Sequence, residues 1–201
     1  MLDNAITWRV LRIVLDSTFG LYKNRFKKIF EDWKIRKDCS VLDIGCGIGQ
    51  YSNITSSKYL GVDLNSKYIK YCKKKYSNEK NKSFRCEDVT TLLNEKITYD
   101  IVIMVDFLHH IPDDLAKKVL KTAAELSNQY IISFEPIREQ DNIIGKCIIN
   151  NDRGDYIRPL DDLQKLFEGT GCQIIDSIEL KLGPIKSRAI LASSIKNQIK
   201  S

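Results

Sequence analysis

Residues 41–51 read VLDIGCGIGQY, in which Asp43 precedes glycines at alternate positions 45, 47 and 49. Glycine lets backbone N–H groups approach a ligand without a Cβ in the way, and a helix beginning just after such a turn adds partial positive charge. A dinucleotide fingerprint G-x-G-x-x-G counted from Gly45 needs glycine at position 50, where the chain has Gln50. A carboxylate two residues before the first glycine repels a pyrophosphate. It attracts a ligand bearing an ammonium group and a sulfonium, and S-adenosylmethionine carries both.

Further acids agree with that ligand. Asp63 closes the apolar run KYLGVD, where a carboxylate can accept from both hydroxyls of a ribose. Glu87 and Asp88 close KSFRCED, where a carboxylate can accept from an adenine amino group. The run YDIVIMV leads into DFLHH, so Asp106, His109 and His110 fall together and include both histidines of the chain. Methyl transfer from a sulfonium is an in-line displacement, in which the protein aligns the acceptor and removes a proton from a hydroxyl or protonated amine. His109 is the candidate base, with Asp106 beside it and His110 toward the acceptor.

The elements that must hold these residues alternate. Short apolar runs at 40–45, 58–63, 82–88, 99–105 and 129–135 have strand length, with helical stretches at 65–76 and 112–126 between them. That rhythm predicts a parallel sheet covered on both faces. Residues 136–158 break it with a long polar excursion before a helix at 159–169, and excursions of that length are usually functional. The runs 172–180 and 185–193, joined at Gly183-Pro184, predict a terminal hairpin and one antiparallel strand. Residues 5–33 have helical spacing broken near Gly20, which predicts two helices; with Trp8 and Phe19 they form an N-terminal cap.

Taken together, VLDIGCGIGQY, YLGVDLN, FRCEDV and YDIVIMVDFLHHI resemble the class I S-adenosylmethionine-dependent methyltransferases over about residues 40–135. The resemblance implies an α/β, Rossmann-like, seven-stranded and mostly parallel sheet. It implies that Asp43, Gly45 and Gly47 line the methionine end of the cofactor, with Cys46 and Gly49 in the same loop. Asp63 would take the ribose with Leu64 beside it. Asp88, or Glu87 in its place, would take the adenine, with Val89 adjacent and Val105 ending the fourth strand. LSNQYIIS stands where many relatives have a Pro-Gly-Gly turn, which leaves the start of the fifth strand open.

On the acceptor side, Glu135 ends the fifth strand, and the excursion brings Arg153, Tyr156 and Arg158. If functional, its arginines favour an acceptor with carboxylate or phosphate. The expected acceptor is a small molecule, sugar or lipid-linked metabolite methylated on O or N. Nucleic-acid amino-methylating enzymes of this fold resemble one another in an Asn/Asp-Pro-Pro-aromatic block, and MVDFLHH differs from it. An RNA or protein methyltransferase, or a cofactor-binding regulatory subunit without transfer activity, are the alternatives.

The 201 residues fit one domain, divided as a cap at 1–36, a cofactor half at 37–135 and a substrate half at 136–201. Hydrophobic residues at 43% and charged residues at 29% exclude disordered and fibrous classes. The net charge of +6 comes from scattered lysines, and the clusters at 22–28 and 70–76 read as solvated helix faces. Six cysteines without a C-x-x-C pair and only two histidines predict free thiols, a reducing cytoplasm and no metal. No secretory signal is expected, because Arg9, Arg12, Asp16 and Lys23 interrupt the early apolar runs, and no run approaches a membrane span.

Overall fold

The computed structural model describes residues 21–152 and 154–198. The expected helices before Gly20, and Arg153, lie outside those residues. The described chain opens with α1 (Leu21–Lys27), which continues as a π-helical turn over Lys28–Asp32. Next come β1 (Val41–Ile44), β2 (Tyr59–Val62), α2 (Ser66–Lys75), β3 (Lys82–Arg85) and β4 (Tyr99–Val105). They are followed by α3 (Asp113–Leu126), β5 (Ser127–Pro136), α4 (Ile143–Asn150) and α5 (Leu160–Lys165). The hairpin strands β6 (Cys172–Leu182) and β7 (Ile185–Ser194), then α6 (Ile195–Gln198), complete the order. Short 3-10 turns span Val89–Glu95 and Leu108–His110.

One seven-stranded sheet runs in the order β3-β2-β1-β4-β5-β7-β6. The first five strands are parallel, and β7 is antiparallel to both β5 and β6, as the hairpin signal predicts. Gly183, at φ 62°, occupies the first turn position between paired Leu182 and Ile185, where a two-residue hairpin turn requires positive φ. Strand order reverses between β1 and β4, which makes their carboxyl ends the natural crevice for a ligand.

The central strands are apolar on both sides, as parallel strands covered by helices must be. Leu42, Ile44, Val102 and Met104 face α3, α5 and the turn after α5 through Ala116, Val119, Leu120, Leu163 and Phe167. Val41, Ile101, Ile103 and Phe134 face the opposite layer, built from Ile29, Ile69 and Cys72. Ala116, Val119, Leu120 and Ala123 recur at i, i+3, i+4 and i+7, giving α3 one continuous buried stripe. Asp113 and Asp114 sit in its first turn, where they complement the helix dipole. Asn65 caps α2 by accepting from the N–H groups of Lys67 and Tyr68.

Four local expectations change. Residues 46–54 form successive i to i+3 turns (Gly49 N–H to Cys46 O, Ser52 to Gly49, Ile54 to Tyr51) instead of the helix anticipated after the glycine loop. The stretch YSNITSS is rich in Ser, Thr and Asn, which bond their own backbone and disfavour helix interiors. β5 starts directly off α3 at Ser127, whose hydroxyl donates to Tyr130 O, with a register shift between Tyr99 and Ile101. The excursion contains α4, capped by Asn142 accepting from Gly145 N–H and carrying Ile143, Ile144, Ile148 and Ile149 in eight residues. The basic cluster at 22–28 is not wholly solvated: Arg25 and Lys28 are buried, with Lys28 Nζ 3.5 Å from Asp32 and 3.6 Å from Asp176. The cluster at 70–76 keeps Lys70, Lys73, Lys74 and Lys75 exposed.

Leu120 is wholly buried where α3 meets the sheet. Leu120→Ala is expected to cost about 2–5 kcal/mol of stability through the cavity it leaves. Urea unfolding monitored by circular dichroism would measure this, and a loss well under that range would show that the layer collapses around the gap.

Candidate active site

The three loop glycines have positive φ (71°, 52° and 70°), and they differ in what surrounds them. A Cβ on Gly45 would run into the Phe107 ring, and one on Gly49 would meet Phe84 and Tyr76. A Cβ on Gly47 would meet nothing within 4 Å among the described residues. Gly45 and Gly49 are therefore held small by packing, while Gly47 opens a cradle that a ligand can approach. Cys46 is buried, with its thiol 3.8 Å from Gly47 O and against Gly61, so its side chain backs the loop. All six cysteines are free.

Asp63 leaves β2 beside that cradle. Its Oδ2 accepts from Gly47 N–H at 2.9 Å and its Oδ1 from Asn65 N–H at 2.7 Å. Each oxygen keeps a second lone pair for another donor. Leu64, next in the chain, is 74% exposed, a large apolar side chain presented at the sheet edge. Asp88 is exposed and caps the 3-10 turn that starts at buried Val89; its Oδ1 takes both Thr90 N–H and Thr90 hydroxyl at 2.8 Å. The Thr90 N–H, then its hydroxyl, hold that carboxyl below its ordinary range. Glu87 divides its oxygens between Arg85 (3.3 Å) and the Thr91 hydroxyl (3.1 Å).

Asp43 lies beneath the loop, fully buried, and accepts from the Tyr59 hydroxyl at 2.5 Å. Burial pushes its carboxyl up to about 7; the Tyr59 hydrogen bond opposes the rise and the Asp63 charge adds to it. Val105 is buried at the end of β4. The next residue, Asp106, takes φ 51° and forms a two-pronged pair with Arg25, Nη1–Oδ2 2.8 Å and Nη2–Oδ1 2.5 Å. Arg25 also donates to the Tyr51 hydroxyl at 2.8 Å, which ties α1 across the carboxyl ends of β1 and β4. Burial lowers the guanidinium's basicity, yet the charges of Asp106 and Tyr51 and the hydrogen bonds to them leave it raised overall.

Glu135 organises the neighbouring turn. One oxygen accepts from Phe107 N–H (3.0 Å) and Leu108 N–H (2.8 Å), the other from His109 N–H (3.3 Å) and His109 Nδ1 (2.7 Å). Burial lowers the proton affinity of His109, but the hydrogen bond and charge of Glu135, with Asp106 and Asp152 adding, raise it overall. His110 is exposed; partial burial and the adjacent His109 lower its affinity. Arg158 is buried and fully engaged, donating to Leu108 O, Ile111 O, Tyr156 O and Asp113 at 2.8–3.0 Å. Tyr156 is 39% exposed and its N–H reaches His109 O at 3.0 Å.

The structure thus brings Asp43, Asp63, Asp106, His109, Glu135, Tyr156 and Arg158 to the carboxyl ends of β1, β2, β4 and β5. Arg25 and Asp152 were not singled out in the sequence. Arg25 shares a helix face with buried Ile29 four residues on, a spacing that marks it as inward-facing. Asp152 lies in a turn, accepting from Gly154 N–H at 2.7 Å, and only the fold brings it to His109.

A family profile described as "Methyltransferase domain" matches residues 41–129. The ubiquinone biosynthesis O-methyltransferase of Coxiella burnetii (strain RSA 331 / Henzerling II) is 23% identical over 187 residues, covering 84% of this chain and 78% of that protein. A putative methyltransferase, 235L, of Invertebrate iridescent virus 6 is 33% identical over 110 residues, 51% of this chain and 38% of the viral protein. Among solved structures, magnesium protoporphyrin IX methyltransferase from Synechocystis PCC 6803 with bound SAH superposes with a TM-score of 0.64 at 19% identity. That superposition covers 90% of this chain and 82% of the other.

The Asp43 carboxyl binds its proton more tightly in the folded chain (about 7) than at its ordinary value of 3.8. Its contribution to stability is therefore full below pH 4 and is lost as pH rises toward 7. Asp43→Asn, which cannot ionise, is expected to match wild type near pH 4 and to melt at a higher temperature above pH 7. Parallel melting profiles across that window would show that Asp43 is ionised without cost.

Proposed function

We propose that this chain, a class I S-adenosylmethionine-dependent methyltransferase, methylates an oxygen atom of a small-molecule or lipid-linked acceptor. The observation that carries the cofactor side is the open Gly47 cradle flanked by the Asp63 carboxylate. The residues fit the cofactor's chemistry: Asp63 has lone pairs for ribose hydroxyls, exposed Leu64 offers an apolar face to adenine, and acids bound the cradle where a pyrophosphate would need cations. Asp88, whose described bonds use one oxygen, suits the adenine amino group better than Glu87, which engages both. When bound, the cofactor supplies an electrophilic methyl group on a sulfonium.

The chain's own part is positioning. Gly45 and Gly49 shape the loop, and the Arg25–Asp106 pair closes α1 over the strand ends. Glu135 fixes the turn that carries His109, and Arg158 locks the same turn from the excursion through its carbonyls. Glu135 and Arg158 therefore act as positioning residues, with Tyr156 and His110 as the exposed groups that can meet an acceptor. An oxygen acceptor is favoured by the Coxiella burnetii relative, an O-methyltransferase by name. A lipid-linked one suits Ile143 and Ile144, which stand 84% and 65% exposed on α4. Among the described residues no helix is long and apolar enough to cross a membrane.

Asp63→Ala is expected to weaken S-adenosylmethionine binding by about 2 kcal/mol, the worth of hydrogen bonds to a charged acceptor. NAD should not bind measurably. Calorimetric titration of both ligands tests this: unchanged affinity in the variant would remove Asp63 from the site, and tight NAD binding would reverse the cofactor assignment. Transfer of a labelled methyl group to phenolic and sugar hydroxyls, compared with amine analogues, tests the acceptor atom.

A further inference from the structure

Counting cysteine pairs and histidines along the chain gives no reason to expect a metal, yet the fold gathers both histidines with an acid. His109, His110 and Asp152 each place a potential ligand atom within 4.8 Å of the others. We propose that these three side chains form a site for a divalent transition-metal cation, zinc or a close substitute, beside the acceptor turn. It goes beyond the methyltransferase reading, and its use in methylation, though not the binding itself, rests on that reading.

Three observations point to a cation. First, Glu135 accepts from three backbone N–H groups and can serve only as an acceptor, so the Nδ1 atom of His109 at 2.7 Å must carry the hydrogen. In the neutral ring that leaves Nε2 with its lone pair outward. A carboxylate holding a histidine by its far nitrogen is the arrangement that orients metal-bound imidazoles.

Second, His109 Nε2 lies 3.5 Å from Asp152 Oδ1, so in the neutral ring the Nε2 lone pair and a carboxylate oxygen converge where a cation can bridge them. A tetrahedral ion with ligand bonds of about 2.0–2.2 Å sets its ligand atoms about 3.3–3.6 Å apart, and the observed separation falls in that range. Third, both groups are fixed from outside. Asp152 Oδ1 is held by Gly154 N–H at 2.7 Å, and Gly154 packs so tightly on the His109 ring that a Cβ there would run into it. Tyr156 N–H secures His109 O at 3.0 Å. His110, exposed at the end of the same 3-10 turn, has side-chain freedom to complete a set of three. A fourth position then remains for water or for an acceptor oxygen, the pattern of an open zinc site.

The test uses the full chain, stripped with a chelator and titrated with Zn²⁺ by calorimetry and with Co²⁺ by absorption. One equivalent should bind, with visible bands of a tetrahedral nitrogen–oxygen site and no near-ultraviolet thiolate charge transfer from exposed Cys86 or Cys147. His110→Ala and Asp152→Asn, both on the surface, should each lower affinity by at least about tenfold while leaving S-adenosylmethionine affinity unchanged. Absent stoichiometric binding, a thiolate spectrum, or unaltered affinity in either variant would overturn the site. Failure of the wild-type chain to bind S-adenosylmethionine would instead overturn the methyltransferase reading and leave the metal result standing.

Discussion

One carboxylate joins the parts of the cofactor end. Asp63 receives the N–H of Gly47 from the β1 turn and the N–H of Asn65 from the start of α2, so a single side chain spans two strand ends and a helix start. The loop can present Gly47 openly only because Gly45 and Gly49 are pressed against Phe107, Phe84 and Tyr76. Those rings belong to β3, the residue that caps the end of α2 and the turn after β4, so the conformation of five residues depends on packing contributed from across the sheet. The charge pattern follows from the same geometry. Parallel strands meeting at the reversal of strand order set Asp43, Asp63 and Asp106 at one edge, where Asp106 is paired with Arg25 and Asp43 is buried against Tyr59, so Asp63 is the acid of the three that stands beside the open Gly47.

The acceptor side has a matching centre in Glu135. A carboxylate buried on β5 is tolerable because four donors from the Phe107–His109 turn surround it, and this is the stronger end of the hydrogen-bond range. Arg158 secures the same turn from the other side, reaching three carbonyls and Asp113. The excursion after β5 is thus no free polar loop. Its α4 carries an apolar block, and its return leg is stitched to the histidine turn through Tyr156 and Arg158.

Much of this was legible in the sequence because strand ends are local. Apolar runs bounded by Gly or Asp locate most strands within a residue or two; the third is the exception, since β3 ends at Arg85 and leaves Glu87 and Asp88 in the turn beyond it. What could not be read depends on contacts distant in sequence. Arg25 lies 81 residues from Asp106, inside a basic cluster whose local pattern also fits a solvated face. Asp152 lies in a polar turn that bears on His109 only because α4 reverses the chain. The helix anticipated after the glycine loop failed for a local reason, since Ser, Asn and Thr favour short turns that bond their own backbone. The role of Arg158 changes for a tertiary one: the turn after β4 exposes carbonyls that a buried guanidinium satisfies.

The central claim, that the nucleoside of S-adenosylmethionine lies across the carboxyl ends of β1 and β2, is tested most directly by a crystal structure with S-adenosylhomocysteine. The expected result has both ribose hydroxyls within hydrogen-bond distance of Asp63, the adenine against Leu64 and the backbone of Gly47 in contact with the ligand. A nucleoside bound elsewhere, with Asp63 still holding only Gly47 and Asn65, would contradict it.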